Sequence, residues 1–211
     1  MARLVWGAMS ERFFEIGVDR GVLYPFSGIG VAWQGLLSVN EAPTGGEARP
    51  YYLDGIKFLN IASAEEFEAT LTVLSTPAEF ALCDGIVSVH NGLFATQQPR
   101  QSFGLSYRSL IGNDVDREDH AYKIHLVYNA LARPASRTNT SIGGSTNPMQ
   151  VAWAITTLPP AVTGLKRTSH FVIDSRYTDP EVLSDFEDLL YGTEGDSPSM
   201  PTPDELIAIF E

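Results

Sequence analysis

Three runs in the middle of the chain alternate between apolar and polar positions. Over Ser102–Leu110, Phe103, Leu105 and Tyr107 fall on one side, and Ser102, Gly104, Ser106 and Arg108 on the other. Over Ala121–Ala130, Tyr122, Ile124, Leu126 and Tyr128 oppose Lys123, His125 and Asn129. Over Met149–Thr157, Met149, Val151, Trp153 and Ile155 form the apolar set. Successive strand side chains point to opposite faces, so this period of two predicts strands with one dry face and one wetter face. Their aromatic and β-branched residues suit a pleated, half-buried surface. The predicted fold is mainly β: an antiparallel β-sandwich or barrel flanked by one principal α-helix, with long loops and terminal arms.

The flanking sequence adds further elements. Arg12–Val18 reads as a short strand, at an edge or in an exchanged arm, and Val22–Pro25 and Gly30–Val39 follow. Asp54-Gly55 between the apolar runs Tyr51–Leu53 and Ile56–Leu59 predicts a tight type I′ hairpin, because both central residues need positive φ. Ser63–Leu74 fits two patterns. Ser63 and Glu66 have the spacing of a helix capping box, and Phe67, Leu71 and Leu74 that of a helical stripe. Phe67, Ala69, Leu71 and Val73 fit a strand equally well, and β-branched Thr70, Thr72 and Val73 favour it. We take the strand, whose polar face carries Glu66, Glu68, Thr70 and Thr72. Thr76–Glu79 predicts a capped short helix through Cys83 that ends at Asp84-Gly85. A second hairpin is expected around Asn91-Gly92.

Ile111–His120 reads as an acidic loop, and Arg133–Pro148 as a longer loop that is polar apart from Ile142. A connection this long is usually functional or mobile. Lys166–Asp174 gives one more strand. Thr178–Glu181 reads as a capping box ahead of a helix whose stripe is Val182, Leu183, Phe186, Leu189 and Leu190. Ser197–Pro203 is a linker, and Thr202–Glu205 opens a final amphipathic piece through Phe210. We therefore divide the chain into a β domain over 1–192, with 1–20 as an N-terminal arm and 133–148 as a long loop, and a linker with a C-terminal arm over 193–211. An apolar tail beyond a proline-rich linker is expected to dock on a neighbouring copy.

The chain has 211 residues, enough for one domain with a real core. Its net charge of -12 repels phosphates, which argues against a tight nucleic-acid binder and suits a surface that nucleic acid passes without sticking. A single cysteine, Cys83, allows no internal disulfide. No run has the length of a signal peptide or of the ~20 apolar residues that span a bilayer, so synthesis and folding in a cytoplasm are expected.

The search for chemistry yields little. Cys83 lies among apolar neighbours with no base in sight and reads as a structural thiol. His90, His120, His125 and His170 are scattered without the spacing of a zinc motif. Asp114, Asp116 and Glu118 alternate as in a calcium loop, but the glycine and terminal glutamate of an EF-hand are missing. Gly28-Ile-Gly30 and Gly143-Gly144 lack the lysine and setting of a phosphate loop. Asn139-Thr-Ser141 matches a glycosylation sequon in a chain with no sign of secretion. Ser169, His170 and Asp174 lie too close along one strand for a triad. No catalytic residue, metal ligand or cofactor site is predicted.

A family resemblance carries more. Arg12-Phe-Phe-Glu-Ile-Gly-Val18 with the following residues to Pro25, Val31-Ala-Trp33, Tyr51-Tyr-Leu-Asp-Gly-Ile-Lys-Phe-Leu-Asn60 and Ala64-Glu-Glu-Phe-Glu-Ala69 resemble major tail proteins of long-tailed, non-contractile phages of actinobacteria. So do Ala95–Arg100, Tyr122–Asn129, Ala154–Pro160, His170–Arg176 and Pro201–Leu206, in order along nearly the whole chain. The resemblance implies a tail-tube subunit: a β-sandwich with a flanking helix, assembled in the host cytoplasm into hexameric rings of the virion tail. The rings stack around a tape-measure protein, with a tail terminator at the end, and viral DNA leaves through the lumen without specific binding. It brings no catalytic residues. On this reading Glu66, Glu68, Thr70 and Thr72 face the lumen. Arg137, Asn139 and Ile142 of the long loop reach the next ring, and Leu206, Ile207 and Phe210 of the tail bridge subunits. Two other readings stay open: a head–tail connector or baseplate protein of the same β class, and an enzyme or ligand-binding barrel with a deep polar pocket.

Overall fold

The computed structural model describes residues 4, 6, 7, 9–26, 28–141 and 148–211. In chain order the elements are β1 (Phe14–Tyr24), β2 (Val31–Ala32), β3 (Leu36–Glu41), β4 (Thr44–Gly45), β5 (Ala48–Leu53), β6 (Ile56–Ala62), β7 (Glu65–Glu66) and β8 (Glu68–Val73). Then come α1 (Phe80–Cys83), β9 (Val87–His90), β10 (Leu93–Ala95), β11 (Phe103–Asn113), β12 (Arg117–Ala132), β13 (Val151–Thr157), β14 (His170–Asp174), α2 (Pro180–Tyr191) and α3 (Pro203–Ile209). The protein is mainly β, and its strand pairs are antiparallel.

The main sheet runs β2-β1-β11-β12-β13-β8-β3, with β14 also paired to β12. It curls back on itself. The Trp33 N–H donates to the Gly21 carbonyl at 2.7 Å, and a Cβ on Gly21 would sit 2.8 Å from Leu36. Glycine is needed there so that β3, at one end of the order, can return against β1. The result is an open barrel with an inner and an outer core. The inner core contains Leu23, Trp33, Leu71, Leu105, Val127 and Trp153. Phe80 of α1 plugs it, with its ring 4.8 Å from Trp33, 5.2 Å from Trp153 and 5.5 Å from Phe103. The outer core lies under the helices. Leu183, Phe186 and Leu190 of α2 cover Ile124, Leu126 and Ile173.

The wetter face expected on the two longest central strands is dry where it matters. His125, Val127 and Ser106 are all buried, because the side facing away from α2 is the barrel interior and the side facing α2 is sealed. Strand β12 serves both cores through one irregularity. Up to Tyr128 its apolar residues alternate regularly, with Ile124, Leu126 and Tyr128 outward and Val127 inward. Asn129 then adopts φ +50, and its amide Nδ2 donates to the Leu158 carbonyl at 3.1 Å. This bulge shifts the alternation by one residue, so that Ala130 and Ala132 point inward and β12 changes neighbour from β14 to β13.

Other boundaries move for local reasons. The predicted Arg12–Val18 strand and the following run are one strand, β1, bent by two register shifts between Ile16 and Val22. Arg108 clamps it by a bidentate pair to Asp19 at 2.5 and 2.7 Å. Residues from Phe14 onward are thus in the sheet. The 63–74 segment is strand, split at Phe67 into β7 and β8. Thr76 does not cap α1, whose N-cap is Glu79 without a side-chain bond. The cap of α2 is Asp179, not Thr178: its carboxylate accepts from the Glu181 N–H, and the Thr178 hydroxyl donates instead to the Asp174 carbonyl. At α3 the capping box of Thr202 and Glu205 is complete.

Candidate functional site

A hairpin forms an extended exposed apolar surface. Among the described residues strands β5 and β6 pair only with each other, in the register Tyr51↔Leu59, Tyr52↔Lys57 and Leu53↔Ile56. Asp54 and Gly55 form its turn with φ +50 and +78, the two positive values of a type I′ connection. Every residue of both strands is exposed, including Tyr52 at 66%, Phe58 at 67% and Ile56 at 72%. Aromatic and aliphatic side chains therefore project from both faces of a two-stranded ribbon that the described residues of its own chain leave uncovered. Its charged residues are Arg49, Lys57 and Asp54, a slight positive excess on a chain of net charge -12. A second, shorter ribbon, β9–β10, exposes Val89, Leu93 and Phe94.

The four residues assigned to a channel wall do not share one strand. Glu66 lies in β7, paired with Thr44 in a separate two-stranded sheet. Glu68, Thr70 and Thr72 lie on the outer side of β8. There Thr70 faces Asn40 and Ala154, and Thr72 faces Ser38 and Ala152. Together they make a flat face of small and hydroxyl side chains across β3, β8 and β13. Its acidic residue Glu68 is paired with Arg133 at 3.0 Å.

The residues assigned to contacts between subunits are partly occupied within the chain. Arg137 binds Asp84 at 2.6 Å and lies over the Trp153 ring. Asp84 is only 10% exposed at its side chain and also accepts from Trp153 Nε1 at 2.9 Å and Arg100 at 3.1 Å, so it fastens the start of the long loop to the barrel. Asn139 is exposed. Ile142 lies outside the described residues. The tail is not a free arm. Leu206 is 3% exposed in the outer core, Phe210 stacks edge-on against Phe186 at 5.4 Å, and Ile207 is half-buried. The proline-rich linker is what makes this docking possible. It is pinned by the bonds Gly30 N–H to Pro198 carbonyl and Ser199 N–H to Leu189 carbonyl, at 2.8 and 2.9 Å. Prolines pre-set its path, and the tail arrives already aimed at α2.

One polar cluster was invisible in the spacing of residues. Glu41 at the end of β3, His125 on β12 and His170 on β14 meet at one end of the barrel. His125 Nδ1 lies 3.2 Å from His170 Nε2 and 3.4 Å from Glu41 Oε1, and His125 Nε2 lies 3.0 Å from the Ser109 hydroxyl. The Tyr107 hydroxyl donates to Glu41 Oε1 at 2.6 Å, and its ring stacks on His125. Burial holds both imidazoles below their ordinary range, against the pull of Glu41, and it raises the Tyr107 phenol. Glu41 and His170 also line an open cleft of about 980 Å³, with Phe67, Lys166 and Ser169 among its walls. The cluster joins three strands distant in sequence, and no sequence signal announces it. Cys83 is 1% exposed, and burial pushes its thiol up to about 11, which leaves it protonated and inert near neutrality.

Among the described residues no helix is long and apolar enough to cross a membrane. No family model matches the chain, and no curated protein matches it in sequence. Two solved structures are similar in fold. One is a chain of the anti-feeding prophage baseplate, a cryo-EM structure symmetrised six-fold, at 11% identity and a TM-score of 0.40, covering 81% of this chain and 97% of that one. The other is Hcp1 from Flavobacterium johnsoniae, at 10% identity and a TM-score of 0.34, covering 66% of this chain and 90% of that one. At these scores the likeness carries no functional weight.

Proposed function

We propose that this protein is a structural subunit of a phage-type tail that assembles with copies of itself into stacked hexameric rings forming a tube for viral DNA. The observation that carries this reading is the β5–β6 ribbon. A lone two-stranded hairpin is marginal in water, and an apolar surface of this extent on a monomer marks an interaction site. A second copy is the fitting occupant. The ribbon carries Arg49 and Lys57, while the chain as a whole is strongly acidic, so ribbon and neighbouring body attract. The ordered likeness to actinobacterial phage tail proteins supports the same reading, and with it a tape-measure protein, a tail terminator and the virion tail as setting.

The flat β3–β8–β13 face is the proposed channel wall. Repulsion by Glu66 and Glu68 together is not its basis, since Glu66 is in another sheet and Glu68 is neutralised by Arg133. Thr70, Thr72, Ala152 and Ala154 offer phosphate no cation to hold it, which lets DNA slide past. Negative-stain microscopy of the purified full chain tests the assembly. Rings stacking into tubes are expected at high concentration, and none with Tyr52→Glu and Phe58→Glu combined. A single defined ring that never polymerises would favour a connector or baseplate part. A monomer at every concentration would overturn the reading.

A further inference from the structure

We propose that Glu41, His125 and His170 form a binding site for one divalent transition-metal ion, of which zinc is the best fit, with its open coordination position facing the cleft. Imidazole nitrogens and a carboxylate oxygen are the donors zinc takes, at bond lengths of about 2.0–2.2 Å. A tetrahedron of that size has ligand-to-ligand edges of about 3.3–3.5 Å. One of the three edges already has this length, 3.4 Å between His125 Nδ1 and Glu41 Oε1, and a second is slightly shorter, 3.2 Å between His125 Nδ1 and His170 Nε2. All three ligand atoms lie within 4.8 Å of one another, so a small inward shift of the exposed Glu41 side chain closes the last edge.

The surroundings have the form of a metal site's supporting shell. A ligating histidine ordinarily gives its other N–H to an oxygen, which fixes its tautomer. His125 Nε2 has the Ser109 hydroxyl at 3.0 Å for this purpose. In that tautomer His125 Nδ1, next to both His170 Nε2 and Glu41 Oε1, carries the lone pair that a metal ion takes. The Tyr107 hydroxyl donates to Glu41 Oε1, the ligating oxygen itself, and so orients the carboxylate. The cleft supplies access and room for a water at the fourth position.

The ion would tie together the end strand β3, the central strand β12 and β14, which pairs with β12 off the main strand order. The site is independent of the assembly proposed above and is testable on tag-free full chain in any oligomeric state. After treatment with chelator, calorimetric titration with zinc chloride should give one ion per chain. Cobalt(II) should give the intense visible bands of a tetrahedral N/O site. Zinc should raise the melting temperature by a few degrees, since it binds only the folded chain. Glu41→Gln and His170→Gln should each weaken binding at least about tenfold, and Tyr107→Phe, which only positions the carboxylate, by about tenfold with the cobalt spectrum kept. Absence of saturable zinc binding overturns the proposal, as does equal affinity in wild type and both ligand variants.

Discussion

Strands β11–β12 and strands β5–β6 are written in nearly the same alphabet and end in opposite environments. Tyr122, Ile124 and Leu126 on β12 alternate with partners much as Tyr52, Ile56 and Phe58 do in the hairpin. Yet β12 is sealed on both faces in its central part, and the hairpin is open on both. The difference lies in what stands across from each face. For β12 it is the barrel interior on one side and α2 on the other. For the hairpin no described residue of the same chain stands across. Alternation therefore reports strand geometry, while burial is decided by neighbours that can belong to another molecule.

Substitutions should separate the two regions sharply. Phe186→Asp puts a charge into the outer core, where the ring is 1% exposed, and should cost about 3–5 kcal/mol and abolish cooperative folding by circular dichroism. Asp84→Ala leaves Trp153 and two arginines without their acceptor, and should lower stability by about 2–3 kcal/mol in a urea titration. Thr202→Ala removes one helix cap and should lower it by about 1 kcal/mol in the same titration, which measures how firmly the tail is part of the fold. Tyr52→Glu with Phe58→Glu should change monomer stability by no more than about 0.5 kcal/mol while abolishing assembly. A large loss of monomer stability from the hairpin pair would mean that the ribbon is supported by its own chain.

Much of the fold was legible in the sequence. The three central strands follow from period two, the Asp54-Gly55 turn from its demand for positive φ, and the α2 face from Leu183, Phe186 and Leu190. What escaped had physical reasons. Ser106 and His125 look like solvent-facing polar residues because a sequence does not state what packs over them. The step at Asn129 breaks the alternation through one backbone angle, and asparagine is common enough outside bulges to give no warning. The docking of Leu206 and Phe210 depends on where a linker is pinned. The Glu41–His125–His170 cluster depends on strand order, since β14 pairs with β12 from a distant part of the chain and β3 approaches β12 only after the sheet curls. Sequence located the turn of the exposed ribbon, but only the structure shows that the ribbon lacks an intramolecular cover.

The step at Asn129 has a consequence for how the molecule comes apart. Because one polypeptide segment lines the barrel beyond that residue and the helix-covered layer before it, neither layer can melt while the other keeps its full complement of side chains. Heating should give a single calorimetric peak, with the helical and sheet signals lost together. A regular extended conformation at residue 129 would put the two halves of that segment out of phase, so that one of them would have to turn inside out.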